Sequence, residues 1–181
     1  LDQQGFIRDW LVLSPIMVGP EAATATEEVK RKLLDKEYFA NQKTTKPTEK
    51  MAVKVGGSEL TWEPVAFDRN SLFFQPPDKS NYVCFAATYV IVQEDIPDVS
   101  LCIGARESSL WWLDGKEVIK AVPPKDGEWK SAPMTLTKGV HFLRLGVTKL
   151  AGDAWASVRF TDKKNASVEA LRITLSPTFG T

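Results

Sequence analysis

The sequence contains a single histidine, His141, and this limits the catalytic chemistry that its side chains can perform. No acid, base or nucleophile lies next to His141 in the chain, so a Ser-His-Asp or Cys-His arrangement would need partners from distant segments. We expect His141, which follows a Lys138-Gly139 turn, to hydrogen-bond a turn carbonyl instead. Phosphate-binding glycine loops, dinucleotide fingerprints and zinc-ligand spacings are also missing from the sequence. These observations predict a protein that is not an enzyme.

Six tryptophans offer a different chemistry, because large aromatic planes attract the apolar C–H faces of sugar rings. Trp111 and Trp112 are adjacent in a strand-like run, and adjacent strand residues point to opposite faces of a sheet. One ring must therefore pack between sheets while the other reaches a surface, a groove or a covering segment. The outer ring is either a stacking platform or is covered by the N-terminal segment or the helix. Trp10 and Trp62 lie within strand-like runs and are predicted core residues.

A candidate ligand site combines tryptophans with charged loop residues. Trp155 begins a strand whose alternate residues Ala156, Val158 and Phe160 form an apolar face, so the indole belongs to the other face with Ser157 and Arg159. It is either a ligand contact or a cover for the sandwich, and Trp129 has the same two interpretations. The predicted ligand-binding residues are Arg106, Glu107, Trp111, Asp126, Trp129, Asp153 and Trp155.

Other chemical readings of these loops are weaker. Glu107 and Asp153 could act as a glycosidase pair only if a cleft held them at a defined separation, and loop carboxylates are usually solvated. No calcium-loop spacing occurs, so we expect no cofactor, with a structural calcium ion as the alternative. Cys84 and Cys102 match no zinc or redox motif. They are either buried free thiols or a disulfide between facing strands.

The charge balance excludes several partners. The chain of 181 residues has 23 Lys plus Arg against 23 Asp plus Glu, and it has no basic run. Nucleic acid or an anionic membrane held by bulk charge is therefore not expected. No stretch of about 18 apolar residues exists to span a bilayer. The length suits one domain over residues 1–181.

The periodicity of the chain predicts an all-β sandwich or barrel with one helix. A capping box of Thr24 and Glu27 begins a helix at about residues 25–39, and an exposed connection follows at 41–50. Beyond it the apolar residues alternate with period two, and turn residues separate short runs rich in β-branched and aromatic residues. The predicted strands are 10–13, 51–55, 59–65, 72–75, 82–92, 99–105, 110–113, 116–122, 131–136, 140–147, 155–161 and 169–175.

Strands joined by short turns reverse direction, so alternate loops should gather at the same end of the sandwich. We expect Asp114-Gly115, Lys138-Gly139 and residues 93–98 at one end. The loops at 75–80, 106–109, 123–128 and 148–153 should share the opposite end. That second end would collect the candidate ligand residues.

Several segments, taken in order, resemble a known family. Gly5 to Ile16 is similar to the opening of galactose-binding-domain-like β-sandwich modules, which are common in secreted multidomain proteins of Planctomycetes and related bacteria. Further segments match the family's strands in sequence order, so the resemblance covers nearly the whole chain. These segments are Leu60 to Trp62, Tyr82 to Val92, Leu101 to Lys116, Lys138 to Val147 and Trp155 to Asp162.

The resemblance implies a jelly-roll sandwich that acts as a non-catalytic, carbohydrate-binding-like module, secreted, periplasmic or at the cell surface, beside other domains. The chain departs from the family pattern at three places. Ala105-Arg106-Glu107 replaces a Ser-Asp-Asp loop, which changes the expected ligand, while Asp114 and His141 each replace an Asn. The predicted function is therefore binding of a glycan at loops of one end. The alternative is a structural or protein-interaction module that contacts neighbouring domains and has no small ligand.

Overall fold

The chain folds as an antiparallel β-sandwich in a computed structural model that describes residues 1–19, 25–68, 72–73, 81–121, 127–149 and 155–177. One helix, α1 (Glu27–Asp35), accompanies the strands in these ranges. The strands are β1 (Asp9–Met17), β2 (Ala52–Val55), β3 (Ser58–Thr61), β4 (Glu63–Ala66), β5 (Leu72–Phe73), β6 (Tyr82–Val92), β7 (Ile96–Ala105), β8 (Ser109–Leu113), β9 (Lys116–Ala121), β10 (Glu128–Lys130), β11 (Met134–Leu136), β12 (Gly139–Lys149), β13 (Trp155–Thr161) and β14 (Leu171–Thr174). The predicted all-β class with one short helix is confirmed.

Two sheets share the main core. The larger has the order β4-β1-β6-β12-β8-β9, with β14 also paired to β6, and the smaller has the order β10-β7-β13-β5, with β11 also paired to β7. Because side chains alternate along a strand, one face of each sheet supplies apolar residues to a common buried cluster. Its members from the larger sheet include Cys84, Ala86, Leu143 and Leu145, and those from the smaller include Leu101, Ile103, Val158 and Phe160.

A second apolar layer covers the outer face of the larger sheet. Trp112 is buried there with Phe85 of β6, with Leu34 of α1, and with Phe39 and Trp62. Trp111, the neighbouring residue, lies in the core between the sheets. The prediction that the two adjacent indoles face opposite ways is confirmed, and the outer ring is a covered one, since only 5% of Trp112 is exposed.

The helix is shorter than the predicted 25–39 and its cap is different. Thr26 precedes α1 and its hydroxyl accepts a hydrogen bond from the Val29 amide at 3.3 Å; Thr24 lies outside the described residues. The chain leaves the helix at Lys36, where the backbone is extended. The Gln42 side chain then bonds the Tyr38 amide and the Lys36 carbonyl, and so it replaces bonds that a longer helix would make. Gln42 is therefore buried within the predicted exposed connection at 41–50.

β1 also extends past its predicted end at Leu13. The ladder between β1 and β6 shifts register between Leu13 and Ile16. Ser14 and Pro15 lie within this shift, so the missing amide proton of proline costs no ladder bond. The strand continues to Met17.

The predicted grouping of connections by end is confirmed for the described strand ends. The turn Asp114-Gly115 has two positive φ values, 52° and 83°, as expected for a two-residue hairpin. It lies at the same end as Gly139, because Leu113 pairs with Leu143 and Gly139 with Val92. Lys138-Gly139 is a link from β11 in the smaller sheet to β12 in the larger sheet, and it does not close a hairpin.

Candidate functional site

The opposite end of the sandwich brings together the strand ends that flank the predicted ligand loops. Lys149 pairs with Tyr82, and Ser109 pairs with both Val147 and Ala121. In the smaller sheet, Ala105 pairs with Ala156. Asp126 and Asp153 lie outside the described residues, and their predicted role remains a prediction.

Trp155, a predicted ligand contact, lies on the outer face of the smaller sheet. It is partly exposed at the start of β13, and its inward neighbour Ala156 is fully buried. A Cβ atom placed on Gly104 of β7 would lie 3.6 Å from Cζ3 of the indole and 2.9 Å from the Ser157 hydroxyl. The ring therefore lies against Gly104, which is itself buried, on the outer face of the smaller sheet, as the period of two predicts.

Arg106 and Glu107 follow β7 directly, and Arg106 contacts Trp155 through its backbone. The Arg106 amide donates to the Trp155 carbonyl at 3.2 Å, which fixes the backbone of the loop to the start of β13. Arg106 is exposed and Glu107 is partly exposed. The backbones of Arg106 and Trp155 are thus held together at this end of the smaller sheet.

The other two predicted aromatic contacts face elsewhere. Trp129 pairs with Ile103, an inward residue, and it packs against the main core while staying partly exposed on the edge strand β10. Trp111 is fully buried, and its indole N–H donates to the Ser109 hydroxyl at 2.9 Å. The prediction that Trp111 contacts a ligand is corrected, because both faces of the ring are enclosed between the sheets.

The sequence did not reveal a polar cluster on the same outer face, centred on Glu128. One carboxylate oxygen accepts from the Cys102 thiol at 2.7 Å, and the other lies 3.4 Å from Arg159. Arg159 also donates to the Ser167 hydroxyl at 2.8 Å, and its guanidinium lies over the Phe6 ring at 5.2 Å. These residues are far apart in sequence, so no local spacing could have indicated their contact.

The two cysteines are free thiols in the structure and not a disulfide. Burial raises the pKa of the Cys84 thiol to about 12. Burial and the Glu128 carboxylate raise the pKa of Cys102 to about 11. Both sulfurs are therefore protonated near neutral pH and are poor nucleophiles.

His141 lies at the end remote from Trp155. Its Nε2 is 2.6 Å from the Thr137 carbonyl oxygen, so the predicted bond to a turn carbonyl is confirmed. Its Nδ1 is 2.6 Å from Asp114 Oδ2, a partner that the sequence analysis did not assign. Within the described ranges, His, Cys, Asp and Glu side chains form no group of three or more that could hold a metal ion. The calcium alternative remains a prediction.

Fold and site together define an antiparallel β-sandwich with a partly exposed indole and an exposed arginine at one end. No protein-family model matches the chain, and no curated protein matches it. Among the described residues, no helix has the length and apolar character needed to cross a membrane.

The structural neighbours are distant. An epithelial adhesin A domain from Candida glabrata, solved in complex with β-lactose, has a TM-score of 0.47 and 9% identity, with coverage of 99% of this chain and 93% of that chain. A β-glucosidase from Kluyveromyces marxianus, in complex with glucose, has a TM-score of 0.44 and 15% identity over 65% of this chain. The chain spans 15% of that enzyme's length. An anti-sigma factor domain-containing protein from Clostridium clariflavum has a TM-score of 0.41 and 10% identity, covering 74% of this chain and 42% of that one.

Proposed function

We propose that this protein is a non-catalytic carbohydrate-binding module whose ligand lies at the Trp155 end of the smaller sheet. The observation that carries the proposal is the partly exposed Trp155 ring at the start of β13, whose backbone is bonded to that of the exposed Arg106. The exposed part of an aromatic plane can contact the apolar face of a sugar ring. Arg106, Glu107, Asp126 and Asp153 are the proposed hydrogen-bonding partners of the hydroxyls.

Each group would have a distinct task. The indole would supply apolar contact and fix the plane of the sugar, while the fork of Arg106 N–H donors would orient adjacent hydroxyls. Trp129 would contact the sugar with at most the edge of its ring, because the ring packs against the core. Since free sugars are well hydrated and few groups are buried, the affinity would be about micromolar to millimolar.

The wider setting is also proposed. A module of this kind would act in a secreted or cell-surface protein, where it would hold neighbouring domains close to a polysaccharide. Its partners would be the glycan and those domains. No step of bond cleavage is proposed: glycoside hydrolysis needs a positioned pair of carboxylates, and the role proposed here for Glu107 is to bind hydroxyls.

Replacement of Trp155 tests the proposal. We expect Trp155→Ala to weaken binding of soluble polysaccharides by about tenfold or more, because stacking supplies much of a weak affinity. Binding would be measured by calorimetry and by tryptophan fluorescence across a panel of neutral and acidic glycans. Val29→Ala removes an exposed apolar side chain of α1, 44% exposed, and it should leave the affinity unchanged.

Two results would count against the proposal. If Trp155→Ala binds as tightly as the unmodified protein, the ligand does not stack on this ring. If the unmodified protein binds no glycan in the panel, the alternative of a structural or protein-interaction module is favoured. That alternative has support from Trp10, Trp62, Trp111 and Trp112, which are all buried.

A further inference from the structure

His141 joins two turns that are far apart in sequence. Asp114 belongs to the β8–β9 turn and Thr137 to the connection between β11 and β12, and each presents an oxygen 2.6 Å from one imidazole nitrogen. Asp114 also binds the next residue of β12, because its Oδ1 accepts from the Phe142 amide at 2.8 Å. The histidine side chain therefore bridges the larger sheet and the link from the smaller sheet.

The two partners require a doubly protonated ring. A carbonyl oxygen and an ionised carboxylate only accept hydrogen bonds, so both ring nitrogens must donate. A neutral imidazole has one N–H, and either tautomer would place a lone pair against one of the two oxygens. Loss of one proton must therefore break one of the two bonds.

The bridge lies at the end of a groove of about 500 Å³. One wall comes from the β8–β9 turn and β9, and the other from residues 131–136. Val118, Met134 and Leu136 give the groove apolar surface, and His141 and Asp114 line it together. The two turns that His141 connects are thus continuous with the two walls.

The charged groups around the bridge favour its charged form. The Asp114 carboxylate, opposed by burial, raises the pKa of His141. Burial raises the pKa of Asp114, but the hydrogen bond with His141 opposes burial, and the net pKa is lowered. The positive charge of Lys46 adds to this lowering. Lys116 and Glu117 of β9 line the same groove. Further charges stand on the surrounding elements: Arg31 of α1 pairs with Glu117, and Asp95 before β7 accepts from the Lys138 amide.

We propose that His141 is a proton-dependent latch, whose charged ring ties the β8–β9 turn to the β11–β12 connection and whose deprotonation releases one contact and loosens this groove. The latch lies at the end opposite Trp155 and does not depend on the proposed sugar site. Since the pKa is raised in the folded protein, the latch contributes fully below the unfolded value of about 6.5 and is lost as pH rises through the folded pKa. Asp114 adds stability above its unfolded pKa of about 3.8, which is lost as pH falls through its lowered folded value.

The single histidine makes the titration easy to observe. Ring ¹⁵N spectra of the full chain contain one imidazole, and we expect both nitrogens to be protonated at pH 6 with a folded pKa above 6.5. Asp114→Asn keeps a side-chain oxygen for the Phe142 amide but removes the charge, so the pKa should fall to 6.5 or below. Lys116→Gln, a change at the exposed first residue of β9, should leave the pKa almost unchanged.

Amide hydrogen exchange tests the loosening itself. After correction for the intrinsic pH dependence, Asp114 and Phe142 should exchange faster above the histidine pKa, while Leu145 in the middle of β12 should not. For each unit by which the folded pKa exceeds 6.5, the unfolding equilibrium constant should rise about tenfold between the low-pH and high-pH limits. In His141→Gln these changes should disappear.

Either of two results on the unmodified protein would overturn the latch. One is a folded pKa of 6.5 or lower for His141. The other is a raised pKa together with amide hydrogen exchange rates at Asp114 and Phe142 that do not change across the titration. In that case His141 and Asp114 would form an ordinary ion pair and not a latch.

Discussion

At the scale of single residues, Arg144 shows how a charge is kept inside the second apolar layer. The side chain is 3% exposed, its guanidinium lies over the Trp112 ring at 4.2 Å, and it donates to the Gln42 carbonyl at 3.2 Å. Burial lowers its pKa to about 10. Among the residues that the structure describes, its buried Nε has no hydrogen-bond partner. Arg144 thus fills space and stacks on an indole, but it is incompletely paired.

Two substitutions at Arg144 separate its packing from its charge. Arg144→Met keeps much of the volume and removes the buried charge, so we expect stability to change by no more than about 1 kcal/mol. Arg144→Ala leaves a cavity against Trp112 and should cost about 2–4 kcal/mol. Urea unfolding at pH 7 measures both. Equal losses in the two variants would show that the charge itself is required.

At the scale of elements, the outer face of β12 depends on a glycine. A Cβ atom on Gly146 would lie 2.9 Å from Cε1 of Phe85 and 3.6 Å from Cζ3 of Trp112. Both rings are buried beneath α1 and the segment that follows it. The missing side chain lets the aromatic layer lie close to the sheet.

Gly146→Ala is expected to destabilise the protein by about 1–3 kcal/mol, because the buried Phe85 ring has little room to move. Gly57→Ala is the matched control, since a Cβ atom there meets nothing within 4 Å, and it should change stability by less than about 0.5 kcal/mol. Thermal unfolding followed by near-ultraviolet circular dichroism would report the aromatic layer as well. A loss no greater than that of the control would mean that the layer can shift without cost.

At the scale of the whole molecule, the balance of charges governs behaviour in solution. Positive and negative side chains are equal in number, and the sequence pI is about 6.8. A protein with no net charge has little electrostatic repulsion between copies.

Solubility should therefore be lowest near pH 6.8 and should rise towards pH 5.5 and pH 8.5. Precipitation with polyethylene glycol at a series of pH values measures this directly. Added salt should raise the solubility most at the minimum if opposite charges attract between molecules. A solubility that does not vary with pH would instead indicate that apolar surface controls association.

Local patterns in the sequence determined the class of fold and the direction of several side chains. The period of two predicted the strands, the opposite orientations of Trp111 and Trp112, and the outward orientation of Trp155, because alternation depends only on neighbouring residues. The position of His141 after a turn likewise predicted its bond to a turn carbonyl. These features need no knowledge of which strands pair.

Only the tertiary structure decided which partners these side chains meet. The cover over Trp112 comes from α1 and the segment that follows it. The sequence had left two alternatives for the outer ring, a covered position and a stacking platform. Trp129 could not be assigned to the core face until its pairing with Ile103 was known. The contacts of Glu128 with Cys102 and of His141 with Asp114 join residues that are 26 and 27 positions apart in the chain. Sheet register sets such contacts, and it arises from the packing of the whole core rather than from any local run of residues.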